Sequence, residues 1–195
     1  MVHILLNLEK EKKMNKSNIK FNGIKYADTE TDWMWLKEAE KLQRWITGKG
    51  ADIGCGQRSI KKDIIRVDID KNVKPDILCD GIKLPFKDEQ LDYITSIHSF
   101  EHFENQYQVL KEWLRVVKKG GIIGIVHPDV DYTKKQNPEI DNDGLKQNPF
   151  NKHWHENNLE TFIKQIEGWK ELPFKVIDSG VACEYWSFYL IIEKI

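Results

Sequence analysis

Two short stretches of this chain carry residue types that can do chemistry together. Asp52-Ile53-Gly54-Cys55-Gly56 places two glycines where a short apolar strand ends. Glycines there let the backbone turn tightly and let a ligand approach the main chain. Asp68 follows fourteen residues after Gly54, at the end of the next apolar run, Ile64 to Ile69. A carboxylate at a strand end can accept two charge-assisted hydrogen bonds from a ribose diol. Ligands of open α/β sheets lie at the carboxyl ends of the strands. Together the two pieces predict a ribose-bearing ligand. The glycine pair alone is a weak signal, because plain strand-to-helix turns also use Gly-x-Gly.

A second group of residues can carry protons. His98, His127 and Asp129 fall just past predicted strands, and His153 and His155 lie at the far end of a long loop. Any of them on the ligand side could take a proton from a substrate. His98 and His127 are the candidates for catalysis, although packing is the ordinary fate of a single histidine. His127 with the His153-x-His155 pair has a histidine spacing that could serve a metal. No acid or cysteine cluster supports that reading, so no metal is expected. Cys55 reads as a small packed residue, since nothing near it in sequence lowers a thiol pKa.

The elements that must position these groups are legible from periodicity. Trp35, Ala39, Leu42 and Ile46 make the apolar face of a helix over about 30–47, stopped by Gly48. Strands are predicted at 51–53, 64–69, 75–80 and 91–97. A helix over 104–118 buries Tyr107, Leu110, Leu114 and Val117, with Gly120-Gly121 as its stop. Ile122 to Val126 is a nearly continuous apolar strand, as expected when both faces of a sheet are covered. A proline- and asparagine-rich loop at 128–155 reads as a lid, with Tyr132, Phe150 and Trp154 as residues that could close over a substrate. A helix over 158–168 follows, capped at Asn157. Strands at 174–177 and 185–192 are joined by a turn near Ser179-Gly180. Trp35, Trp113 and Trp169 read as helix–core contacts. Strands alternating with helices imply an α/β sheet, and the final pair an antiparallel edge.

Composition bounds the function. The chain has 195 residues, 30 Lys+Arg against 31 Asp+Glu, and a net charge of −1. That length suits one domain over 29–195, preceded by an arm at 1–28. The charge argues against a protein built to bind nucleic acid. Only four of the basic residues are arginine, the better reader of phosphates and bases. Three well-separated cysteines make no disulfide framework and fit a reducing, cytoplasmic setting. No apolar run approaches the length of a membrane span. Val2 to Leu6 is too short, and lacks the basic lead, of a signal peptide.

The stretches ADIGCG, RVDID, CDGIKLPFKDEQLDYI, FEHF and LKEWLRVVKKGGIIGIVHPD occur in this order over about residues 50–129. As a set they resemble the class I S-adenosylmethionine-dependent methyltransferases. The resemblance implies a Rossmann-like sheet of seven strands, mostly parallel, with the last strand antiparallel and helices on both faces. It implies S-adenosylmethionine as cofactor and S-adenosylhomocysteine as product. The glycines Gly54 and Gly56, with Cys55 between them, would pass under the methionine part, and Asp52 would help to hold its amino-acid end. Asp68 and the adjoining Ile69 would meet the ribose. Asp80 and Gly81 would lie near the adenine, and Ile97 and His98 would wall the methionine pocket. His102 belongs to the Glu-His pair of the family pattern and reads as structural.

Arg58 stands where the family pattern carries a third glycine, and only seven residues separate Gly56 from Ile64. The usual first helix must then be a single turn or missing, and Arg58 could face the methionine carboxylate. The expected acceptor is a small molecule, a glycan or a lipid precursor, with no nucleic-acid partner. Two competitors are a nicotinamide-dependent oxidoreductase, which also places an acid on a ribose, and a non-catalytic scaffold on the same fold.

Overall fold

The alternation of short apolar strands with amphipathic helices builds a layered α/β fold. The computed structural model describes residues 20–21, 24–25, 30–132 and 157–195. The arm residues 1–19, and His153, His155, Phe150 and Trp154 of the expected lid, lie outside them. Strands β1 (Lys20–Phe21) and β2 (Ile24–Lys25) pair antiparallel. Helix α1 (Glu30–Gln43) leads into β3 (Gly50–Ile53), β4 (Ile65–Asp68), β5 (Ile77–Leu78) and β6 (Leu91–Ile97). Helix α2 (Gln106–Val116), β7 (Val117–Pro128), helix α3 (Leu159–Glu167), β8 (Phe174–Cys183) and β9 (Ser187–Lys194) complete the order.

Seven strands form one sheet in the order β5-β4-β3-β6-β7-β9-β8. Strands β3 to β7 are parallel, and β9 runs antiparallel between β7 and β8. This is the sheet that the family resemblance implies. The winding reverses between β3 and β6, which opens a crevice at their carboxyl ends. The connection from β3 to β4 holds only turns and no helix, as the short spacing after Gly56 requires.

Each face of the sheet is covered, which explains the continuous apolar runs in β6 and β7. On one side Val109, Leu110 and Trp113 of α2 and Phe162 and Ile166 of α3 pack on Ile53, Ile94 and Ile123. On the other side Trp35, Leu36, Ala39 and Leu42 of α1 pack on Tyr93, Val126 and Ile191. Trp35 and Trp113 are thus the core contacts expected of them, and Trp169, just past α3, packs partly buried on the same core.

Three local expectations are corrected. Helix α2 ends without a glycine stop, because β7 starts directly at Val117. Gly120 and Gly121 instead serve an irregularity in which Val117 faces Leu91 and Ile122 already faces Tyr93. The surplus residues must loop out, and Gly120 absorbs the bend at φ 75°. Ser179 and Gly180 stay inside β8, and the turn falls at 184–186. Gly180 faces Tyr189, whose ring would lie 3.2 Å from an added Cβ, so this glycine makes room for a tyrosine. The cap of α3 is Asn158, one residue later than expected. Its side chain accepts from Thr161 N–H, and the Thr161 hydroxyl receives the Asn158 N–H in return.

The reciprocal cap makes a measurable difference between neighbours. Asn158→Ala is expected to lower stability by about 1 kcal/mol. Asn157→Ala loses only a half-buried bond to Gln165 and is expected to fall well short of that. Denaturant melts of the two variants check this, and equal losses would refute the cap assignment.

Candidate active site

The crevice at the carboxyl ends of β5, β4, β3, β6 and β7 brings most of the candidate residues into one row. Strand register sets the order: Ile53 pairs Val67, Asp68 pairs Leu78, and Asp52 pairs Thr95. Asp80 therefore follows the outermost of these strands, then come Asp68, the glycine loop, and Ile97 with His98. His98 N–H donates to Val126 O, which sets it beside the end of β7.

The glycine loop folds back on β4. Gly54 N–H and Cys55 N–H both donate to Val67 O, at 2.9 and 3.2 Å. Gly54 has φ 69° and Gly56 φ 54°, a region that favours glycine. The two positions differ in what surrounds them. A Cβ on Gly54 would lie 1.9 Å from Ser99 Oγ, so protein packing already forbids a side chain. A Cβ on Gly56 would meet nothing within 4 Å, so the space above it is open. Gly56 N–H donates to Asp68 Oδ2 at 2.9 Å, and Asp70 N–H to Asp68 Oδ1 at 2.9 Å. Both carboxylate oxygens are thereby oriented at the strand end.

Asp52 is 3% exposed and accepts from the Thr95 hydroxyl at 2.7 Å, tying β3 to β6 below the loop. Burial lifts its carboxyl to about 7, against the lowering effects of Thr95 and Arg66. Burial and the neighbouring Asp52 push the Cys55 thiol up to about 12, so it is the inert packed residue expected. Asp80 accepts from Ile82 N–H and closes a tight turn with Lys83. Gly81 is held from below, where Trp113 Nε1–H donates to its carbonyl at 3.0 Å.

Beyond the loop, His98, partly exposed, is the hub of a charge cluster whose carboxylates, Glu38 and Glu101, are buried. Its φ is 53°, a strained value for a non-glycine residue. His98 Nε2 lies 2.7 Å from Glu38 Oε1, which also accepts from the Ser187 hydroxyl at 2.5 Å. His98 Nδ1 stands 3.7 Å from Glu101 Oε1, and His102 Nε2 3.9 Å from the same oxygen. Burial opposes a charge on His98, but the Glu101 and Glu38 carboxylates outweigh it and lift the imidazole to about 10. Burial likewise opposes charge on Glu101, and the surrounding histidines bring it down to about 2. His127 stacks on Phe188 and leans on Phe162, fully buried. Its Nδ1 bonds to Pro128 O at 2.7 Å, and burial lowers its pKa, so it stays neutral with a lone pair on Nε2.

Sequence reasoning missed Glu38, Ser187, Thr95, Ser99 and Arg66. Glu38 had a signal, since it sits three residues after Trp35 on the inward face of α1 and is 1% exposed. A carboxylate at a core-facing helical position needs a buried partner. The others become visible only once the strands are registered. Among the described residues no group of three or more His, Cys, Asp or Glu is arranged to hold a metal ion. No described helix is long and apolar enough to cross a membrane.

Two outcomes follow from this electrostatics. A carboxyl raised by folding holds its proton more tightly in the folded state. Asp52 thus contributes stability at low pH that is lost as pH rises through about 7. Asp52→Asn is expected to remove a decline of roughly 2–3 kcal/mol between pH 5 and pH 8. Thermal melts across that range check it; an unchanged pH slope would refute it. For His98, the wild-type imidazole is expected not to titrate between pH 5 and pH 8 in NMR spectra. Glu38→Gln is expected to lower its pKa and to destabilise the fold by roughly 1–3 kcal/mol, as for a weakened hydrogen bond to a charged group.

Comparison with known proteins agrees with this geometry. A family model described as a methyltransferase domain matches residues 51–125, the span from β3 to β7. An uncharacterized protein of Methanocaldococcus jannaschii is 32% identical over 173 residues, spanning 78% of this chain and 80% of its own. A protein of Pyrococcus horikoshii has the same fold, with a TM-score of 0.63 at 17% identity over 95% of this chain and 99% of that one. So does a Thermotoga maritima protein described as an S-adenosylmethionine-dependent methyltransferase, possibly acting on histamine, with a TM-score of 0.61 at 18% identity over 84% and 89% of the two chains. The matched span carries the glycine loop, Asp68, Asp80 and the Glu-His pair, and it gives the chain a class I S-adenosylmethionine-dependent methyltransferase domain.

Proposed function

We propose that this methyltransferase acts on a small-molecule, glycan or lipid-precursor acceptor, and that the cofactor lies along the row from Asp80 to His98. The observation that carries the placement is the oriented Asp68 carboxylate beside the open space over Gly56. The methionine part would cross Gly54, Cys55 and Gly56, the ribose hydroxyls would meet Asp68, and the adenine would reach Asp80 and Gly81. Ile69 and Ile82 are 47% and 39% exposed at the ends of neighbouring strands. Exposed aliphatics there suit a flat apolar base. The methionine end would then point to Ile97 and His98, with Asp52 supporting the loop and Arg58 facing the carboxylate.

The cofactor supplies an activated methyl group, and the sulfur receives the bonding pair when the acceptor atom takes the methyl. The chain has to align the acceptor, and alignment can supply ~7–11 kcal/mol of such a barrier. His98, held as a cation between two carboxylates, would position groups rather than abstract a proton. His127 has a free lone pair but no exposed surface, so it would act only through its neighbours. Asp129 and Asp131, just past β7, stand beside the β8–β9 turn that carries Glu184, with Asp129 N–H donating to Trp186 O, and acidic groups suit nucleic acid poorly. With a net charge of −1, this supports a small acceptor.

Calorimetric titration with S-adenosylhomocysteine tests the placement. Wild type is expected to bind, and Asp68→Ala to weaken binding at least about tenfold. Binding of a nicotinamide dinucleotide in place of S-adenosylhomocysteine would overturn it. A panel of acceptors with labelled methyl donor then tests the acceptor class, and labelling of RNA alone would exclude the small-molecule reading.

A further inference from the structure

We infer that Arg66 is a positioning residue for the cofactor, taking over the work of the helix that this chain lacks after its glycine loop. The inference rests on the cofactor placement proposed above. A helix after such a loop ordinarily holds it through main-chain bonds and packing, and offers its N-terminus to the ligand. Here residues 57–64 contain no helix, so the loop must be held from elsewhere. Arg66, on β4, donates from one guanidinium nitrogen to Gly56 O at 2.6 Å. The same nitrogen reaches Val73 O at 3.2 Å, and the second terminal nitrogen reaches Lys74 O at 3.2 Å.

Those last two carbonyls belong to the short turn Lys71–Val73 and its left-handed cap Lys74. That turn begins at Asp70, whose N–H is bound by Asp68. One planar side chain therefore ties the loop under the methionine part to the loop that follows the ribose carboxylate. Its own strand is anchored in turn, because Arg66 N–H donates to Asp76 Oδ2 at 2.8 Å. The fork of a guanidinium can span both loops at once; a lysine ammonium is a point donor and reaches one of them.

Arg115 provides an internal control. It is a similar clamp, donating to Phe86 O at 3.0 Å and pairing with Glu112 and Asp88, but its partners lie on the 84–88 segment and α2, away from the crevice. The experiment measures S-adenosylhomocysteine affinity by calorimetry, melting temperature, and amide hydrogen exchange at 54–58 in wild type, Arg66→Gln, Arg66→Lys and Arg115→Gln. Arg66→Gln is expected to weaken affinity at least about tenfold and Arg66→Lys by a smaller factor. Exchange at 54–58 is expected to speed up in both. Arg115→Gln is expected to lower the melting temperature with affinity within about twofold of wild type. Arg66→Gln folded and binding like wild type would overturn the inference. Should that variant not fold, Arg66→Lys binding like wild type overturns it equally. Affinity losses that follow melting temperature at both arginines would reduce Arg66 to a structural role and overturn it too. A wild type that binds no S-adenosylhomocysteine would defeat the cofactor placement itself, and this inference with it.

Discussion

Gly56 is gripped through both of its main-chain groups, the N–H by Asp68 and the carbonyl by Arg66. Both partners stand on β4, two residues apart, so the loop after β3 is held by the neighbouring strand. That grip demands the parallel register that sets Ile53 beside Val67. A slip of one residue would turn Asp68 to the other face of the sheet and leave Gly56 without either bond. The register in turn is held by burial, since Ala51, Ile53 and Val67 are closed off on both faces. The helices on either side of the sheet matter to the site mainly because they make that register the only one that buries these residues.

Below the loop the site is strongly charged and largely dry. Glu38, Asp52 and Glu101 are each nearly inaccessible to solvent. The molecule resolves this burial in two different ways. Asp52 has one hydroxyl donor and keeps its proton more readily than an ordinary carboxyl. Glu38 and Glu101 share the imidazolium of His98, and that cation keeps Glu101 ionised. The difference is one of partners rather than of depth. It sets a neutral or weakly charged group under the glycine loop and a fixed ion cluster under the end of β6.

The seven strands of the main sheet and the three described helices were legible in the sequence because each rests on local pattern, whereas the short pair β1–β2 falls in what reads as an arm. Gly54 and Gly56 end an apolar run, Asp68 ends the next, and the missing helix follows from the short spacing to Ile64. What stayed hidden depends on pairing across the sheet. Arg66 reads as one more strand residue until Gly56 and Val73 are brought beside it. Ser187 reads as the start of an edge strand until it meets Glu38, 149 residues earlier in the chain. The misplaced turn at Ser179-Gly180 has the same origin, because a glycine that makes room for Tyr189 cannot be told from a turn glycine without its partner. His98 was legible as a residue just past a strand end but not as a cation, since its charge comes from carboxylates on α1 and the turn after β6.

The fixed ion cluster bears on how methyl transfer can be organised here. A sulfonium loses its charge as the methyl leaves, so a permanently charged surround either helps or hinders that change according to its sign. His98 supplies one positive charge against the two negative charges of Glu38 and Glu101. With the cofactor where we propose it, the net negative balance of these three groups would favour binding a sulfonium, which by itself would stabilise the ground state. Catalysis must then come from geometry that only the transition state satisfies. The strained backbone of His98 and its tie to α1 hold the wall of the crevice in one conformation. A wall tied to α1 in this way suits an enzyme that relies on alignment and leaves the acceptor proton to groups outside this cluster.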